Sequence, residues 1–127
     1  MVRFAVPRVI HFEIPADIAE RAVKFYSEVF GWKMQKWDGS EDYSLAATGE
    51  EHQPGIYGAI TKRTNLTSST TNTIDVSSVD EYAAKITKNG GKVLTPKTPV
   101  PGVGYFAYCQ DTEGDIFGMI QNDESAK

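Results

Sequence analysis

Gly114-Asp115-Ile116-Phe117-Gly118-Met119-Ile120, close to the C-terminus, is echoed by Pro54-Gly55-Ile56-Tyr57-Gly58-Ala59-Ile60. The shared core is Ile-(Tyr/Phe)-Gly-x-Ile, and Gly58 and Gly118 lie 60 positions apart. The same shift carries Ile14 onto Ile74, Gly31 onto Gly91 and Ala47 onto Ala107. Matches spread over most of the chain at one constant spacing point to an internal duplication, which has to be read before any single element.

Outward from these strands, each half shows the same order of patterns. Val9 to Ile14 alternates, with Ile10, Phe12 and Ile14 on one side and Val9, His11 and Glu13 on the other, as in a strand with one apolar face. Pro15 ends it. Asp17 is the predicted N-cap of a helix, with Glu20 as its capping-box partner. That helix runs to about Phe30 on a stripe of Ile18, Ala22, Phe25, Tyr26 and Val29, and Gly31 stops it. Trp32 to Trp37 reads as a strand, Asp38-Gly39-Ser40 as a hairpin turn, Tyr43 to Ala47 and Gly55 to Lys62 as two more strands. Polar Arg63 to Thr70 links the halves.

The second half repeats the plan. Asn72 to Val76 alternates, and Ser77 or Ser78 caps a helix to about Lys88 with Val79, Tyr82, Ala83 and Ile86 as its stripe. Asn89-Gly90-Gly91 ends it. Lys92 to Thr95 reads as a strand, Pro96 to Gly104 as a loop, Tyr105 to Cys109 and Asp115 to Gln121 as strands around a turn at Asp111–Gly114. Asn122 to Lys127 reads as a frayed tail. The fold class is therefore α+β: tandem βαβββ modules, repeat one over about 8–62 and repeat two over about 70–121, in a single domain of residues 1–127. Neither module can bury its own helix stripe and sheet face, so the two sheets are expected to pair and enclose a cleft. His11 and Glu13 would line it from the first copy, and Thr71, Thr73 and Asp75 from the second.

Composition bounds the function. The chain has 127 residues, is 40% hydrophobic and 24% charged, and carries a net charge of −4. It has no basic run, which argues against nucleic acid as a partner. No apolar run is long enough for a membrane span, and Met1 to Pro7 lacks a signal-peptide core, so a cytoplasmic protein is expected. Cys109 is the only cysteine. It excludes an internal disulfide and reads as a small buried hydrophobe. No phosphate loop, nucleophile elbow or paired-cysteine zinc motif occurs.

Val9-Ile10-His11-Phe12-Glu13-Ile14-Pro15, Ala22-Val23-Lys24-Phe25-Tyr26 and Phe30-Gly31-Trp32 resemble the opening of a vicinal-oxygen-chelate protein, the superfamily of glyoxalases, bleomycin-resistance proteins and extradiol dioxygenases. Lys88-Asn89-Gly90-Gly91-Lys92-Val93 and Asp111-Thr112-Glu113-Gly114 resemble its second half. The resemblance implies the paired βαβββ fold. For the metalloenzyme members it also implies one divalent metal held by a His or Gln on the first strand and a carboxylate on the fourth, with equivalents in the second copy. Carried onto this chain, those positions are His11, Gly58, Thr71 and Gly118, one ligand of four. A one-residue slip offers Tyr57 and Phe117 instead. Glu13, Glu51, His52, Asp75 and Glu113 are the candidate substitutes, of which Glu51, His52 and Glu113 sit in loops and read as solvated polar residues.

The resemblance thus implies a small organic molecule as ligand, no metal or other cofactor, and a homodimer like the sequestering members of the superfamily. His11, Glu13, Gly58, Thr71, Asp75 and Gly118 are the candidate ligand-binding residues, the glycines leaving room and His11 and Glu13 making polar contacts. Glu13 and Asp75 are also a candidate carboxylate pair. No catalytic residue is assigned. The rival reading is a metal-dependent lyase, isomerase or dioxygenase with an atypical site built on His11.

Overall fold

The structure, a computed structural model, describes residues 6–37 and 42–127, so the hairpin turn expected at Asp38-Gly39-Ser40 lies outside the described residues. The chain divides into two compact units, residues 10–72 and residues 73–127 with the segment before Ile10. In the first, β1 (Val9–Ala16) leads through α1 (Ala19–Phe30) to β2 (Lys33–Lys36), β3 (Tyr43–Ala47) and β4 (Tyr57–Lys62). Its strands lie in the order β2-β3-β4-β1, with β1 parallel to β4 and the other pairs antiparallel. The second begins within β5 (Thr71–Asp75), at Thr73, and leads through α2 (Val79–Lys88) to β6 (Lys92–Val93), β7 (Thr98–Val100), β8 (Gly104–Gln110) and β9 (Ile116–Asn122). Here β5 runs parallel to β9, β9 antiparallel to β8, and β6 and β7 both pair with β8. Both units follow the βαβββ plan of an α+β protein.

The two helices start differently. Ser78 caps α2 as expected, its Oγ accepting from the Glu81 amide at 3.1 Å, and the Gln121 side chain on β9 accepts from the Val79 amide at 2.9 Å. Asp80 and Glu81 in the first turn and Lys85 and Lys88 in the last complement the helix dipole. Asp17 does not cap α1. Ile18 holds the N-cap position without a side-chain bond, and the Asp17 carboxylate accepts from Arg63 Nε at 2.9 Å instead. A guanidinium 46 residues away in sequence outcompetes the local capping bond. Gly31 ends α1 at φ 76° with its amide on the Ser27 carbonyl, the left-handed stop its sequence predicts.

Three other expectations are corrected. β1 continues through Pro15 to Ala16 rather than ending at the proline. The strand expected at Lys92–Thr95 stops at Val93, and the expected loop from Pro96 to Gly104 contains β7. Thr95 Oγ1 accepts from the Tyr108 amide at 2.8 Å, so residues 94–97 are a break in one outer strand along β8. The C-terminal tail is tied down: the Gly102 amide donates to the Ala126 carbonyl, the Asp123 amide to Val103, and Ala126 is buried.

The decisive correction concerns register. Paired residues on neighbouring strands share a sheet face, and a one-residue slip exchanges the faces. Gly118 pairs with Thr73, but Gly58 pairs with Phe12, whose counterpart under the 60-residue shift is Asn72. β4 and β9 hold equivalent places, yet their glycines point to opposite sides. A Cβ on Gly58 would lie 2.5 Å from the Phe12 ring. That ring packs against Trp32 (centroids 6.0 Å apart), which stacks on Tyr26 of α1 at 4.9 Å. Gly58 therefore faces the helix. A Cβ on Gly118 would meet Phe106 at 2.4 Å and Thr73 Oγ1 at 3.4 Å. Those residues lie opposite the core of Val76, Val79, Ala107, Cys109 and Met119, against which Tyr82, Ala83 and Ile86 of α2 pack.

Candidate functional site

Strand alternation fixes which side chains share the helix-free face of the first unit. From β1 come His11 and Glu13, from β4 Tyr57, Ala59 and Thr61, and from β3 Tyr43 and Leu45. His11 Nε2 and the Tyr43 hydroxyl lie 2.9 Å apart. Glu13, two residues along, is buried, as are Ala59 and Thr61. Tyr57 is held outward, its hydroxyl donating to the Gly49 carbonyl at 2.5 Å. Thr48 Oγ1 donates to the Ile56 carbonyl at 2.7 Å, so the loop before β4 is fastened at the same end of the strand.

His11 and Glu13 thus stand together as the sequence predicts, and Gly58 does not join them. His11 acquires a partner that sequence reasoning missed. Tyr43 lies 32 residues away, and only the β3–β4–β1 pairing brings it near. In the second unit Gly118 lies beside Thr73 on the helix-free face, with Phe106 and Tyr108 in edge-to-face contact at 4.7 Å. Thr71 and Thr73 are buried. The Asp75 carboxylate accepts from the Arg8 amide at 3.0 Å, and the Asp75 amide donates to the Arg8 carbonyl at 2.9 Å. Glu51, His52 and Glu113 remain exposed. The Cys109 thiol is buried and pushed up to about 11 by desolvation, which makes it an inert core group.

Burial holds the His11 pKa below the ordinary histidine value, against the opposing pull of the Glu13 carboxylate. A neutral imidazole keeps one ring nitrogen as an acceptor, and the Tyr43 hydroxyl can supply that bond. The folded protein then binds its His11 proton less readily than the unfolded chain. The His11 contribution to stability is complete above the unfolded value, about 6.5, and is lost as the pH falls through it toward the lower folded value. Unfolding midpoints in urea from pH 8 to pH 5 are expected to fall, and the slope is expected to flatten in His11→Gln. An equal slope in both proteins would exclude this assignment.

The family's metal position does not fit these side chains. With β4 in its observed register, Tyr57 and Ala59 flank His11 and Glu13 where the metalloenzymes place a carboxylate. The matching face of the second unit offers Thr73 and Gly118. Among the described residues, no three His, Cys, Asp or Glu side chains are grouped to hold a metal ion. Nor is any helix among the described residues long and apolar enough to cross a membrane.

Fold and site geometry together define a class, and comparison with known proteins agrees. Residues 8–117 match the model of the Glyoxalase/Bleomycin resistance protein/Dioxygenase superfamily, and the chain belongs to that superfamily. A glyoxylase-like domain-containing protein of Didymella fabae is 34% identical over 114 residues, covering 84% of this chain and 88% of its own. Among solved structures, a hypothetical protein of Bacillus halodurans C-125 superimposes with a TM-score of 0.64 at 16% identity over 97% of this chain and 99% of its own. A Streptomyces coelicolor methylmalonyl-CoA epimerase in complex with 2-nitronate-propionyl-CoA gives a TM-score of 0.64 at 16% identity, over 94% and 97% of the two chains. At that identity the likeness is one of fold.

Proposed function

We propose that the protein binds a small organic molecule on the helix-free sheet face of its first unit, without the superfamily's usual metal. The observation that carries this reading is the His11–Tyr43 pair beside buried Glu13. That polar group can orient a ligand, yet β4 adds no carboxylate to it. Asp75 and Gly118 are proposed as polar and open positions of the second unit taken by itself, and Thr71, at the start of β5, belongs to the first. Gly58, turned toward α1, is not one of them. The protein acts in the reducing cytoplasm, where the lone buried Cys109 needs no partner.

Two measurements test this. Protein purified without chelator and then soaked in zinc, nickel, iron and manganese salts is expected to hold far less than one equivalent of metal. A thermal-shift panel of small carboxylic acids, phenols and acyl thioesters is expected to contain a stabilising probe. His11→Ala should weaken that probe about tenfold, the scale of one lost hydrogen bond. Stoichiometric metal that disappears in His11→Ala would overturn the reading. It would make Glu13 the first suspect as a second ligand and place the protein among the lyases, isomerases or dioxygenases.

A further inference from the structure

A groove of about 390 Å³ runs along α1 within the first unit. Its volume falls at the small end of the range for organic-ligand sites, about 300–1,000 Å³. Ile14 of β1 lines it, as do Ala22, Phe25 and Tyr26 of α1. Ile14 shares a strand face with Phe12, so the groove lies on the helix side of the sheet, away from His11 and Glu13. Phe25 is 53% exposed, and Ala22 and Tyr26 are half-buried, so the wall is apolar yet open to solvent. Stacking on Trp32 at 4.9 Å holds Tyr26 in place. The second unit shows why the space exists. Under the 60-residue shift Ala22 stands where α2 has Tyr82, which packs against the core. A methyl group in place of a phenol ring leaves that side of α1 unfilled.

Charge says what fits there. Arg21, one turn before Phe25, and Arg63 line the end of the groove where β1 hands over to α1. The two guanidinium groups differ. Arg63 is committed: its Nε donates to Asp17 at 2.9 Å, and its other nitrogens donate to the Ser68 and Pro15 carbonyls. That ion pair neutralises Asp17, the one carboxylate lining the groove among the described residues. Arg21 is exposed and has no ion-pair partner among the described residues. The groove therefore carries one unmatched positive charge in a chain of net charge −4. An apolar wall with a single cation at one end is complementary to an amphipathic anion.

We propose that this groove is a second binding site, taking a small amphipathic carboxylate whose head group pairs with Arg21 and whose hydrocarbon chain lies against Ile14, Ala22 and Phe25. The site is separate from the helix-free face and does not depend on what binds there.

Calorimetric titration of the full chain with octanoate tests the proposal, with backbone amide NMR shifts to locate the ligand. Octanoate is expected to bind with a dissociation constant of about 0.1 mM, in keeping with its few heavy atoms, and to shift the amides of Arg21, Ala22 and Phe25. Octanol keeps the chain without the charge, and Arg21→Gln keeps the groove without its cation. Each is expected to weaken binding about tenfold, the scale of one charge-assisted hydrogen bond. Octyltrimethylammonium should bind far more weakly than octanoate. Ala22→Tyr, which copies α2, should fill the groove and abolish octanoate binding. Arg21 is exposed, so the charge series stands even if Ala22→Tyr folds poorly. His11→Ala should leave octanoate affinity unchanged, because His11 lies on the other side of the sheet. A cation that binds as well as octanoate overturns the proposal. So does loss of octanoate binding in His11→Ala, which would put the anion on the helix-free face. No octanoate binding by wild type, the result expected if a second copy covers this side of α1, overturns it as well.

Discussion

Gly104→Ala is expected to destabilise the protein by about 3 kcal/mol, among the larger effects of adding one methyl group. A Cβ at this position would lie 2.0 Å from the Gln121 carbonyl oxygen and 2.9 Å from its carbon. The obstacle is main chain, which has no rotamer to escape into. It is also main chain that cannot drift away, because β8 and β9 pair continuously from Gly104–Asn122 to Gln110–Ile116. Relief requires opening the end of that ladder, and with it the C-terminal tail that returns to Gly102 and Val103. Urea unfolding at neutral pH measures the loss. A variant within about 0.5 kcal/mol of wild type, the range of an ordinary surface change, would mean that this junction is looser than described.

Gly58→Val should cost a comparable amount, about 3 kcal/mol, by overpacking the helix side of the first unit. Three atoms of the Phe12 ring lie 2.5 Å from the added Cβ, and that ring abuts Trp32. The same variant discriminates the two faces of the sheet. His11 is on the opposite side from Gly58, so the acid-dependent slope of stability assigned to His11 should persist at lower overall stability. If the slope vanished with Gly58→Val while the fold survived, the side assigned to Gly58 would be wrong.

What could be read from the sequence was what local chemistry decides. Gly31 and Ser78 are where they were expected because a left-handed stop and a hydroxyl cap involve only adjacent residues. The alternation of β1 correctly put His11 and Glu13 on one face. The failures are non-local. Asp17 lost its capping role to an arginine beyond β4. The motif containing Gly58 and that containing Gly118 look alike in sequence, but nothing within either motif records which residue of the neighbouring strand it will pair with. Pairing with Phe12 rather than Glu13 sends Gly58 to the helix side, which no count of matching letters could reveal. Tyr43 was missed for the same reason, since its meeting with His11 depends on three strands in register. The tail looked frayed because its polar composition hides the backbone bonds that hold it.

The broken outer strand along β8 has a consequence for behaviour in a crowded solution. An open sheet edge presents unpaired amides and carbonyls to any extended chain that drifts past. Here that edge carries Lys92, is interrupted at residues 94–97, and resumes at Thr98–Val100, whose central Pro99 has no amide hydrogen to offer. β2, the outer strand of the first unit, is four residues long and begins and ends with lysine. A foreign strand finds too short a run of donors on either border, and charge where apolar contact would be needed. Fibril growth by strand addition is disfavoured at both borders. Restoring a continuous border with Pro99→Val would be expected to shorten the lag of thioflavin-detected aggregation on prolonged heating.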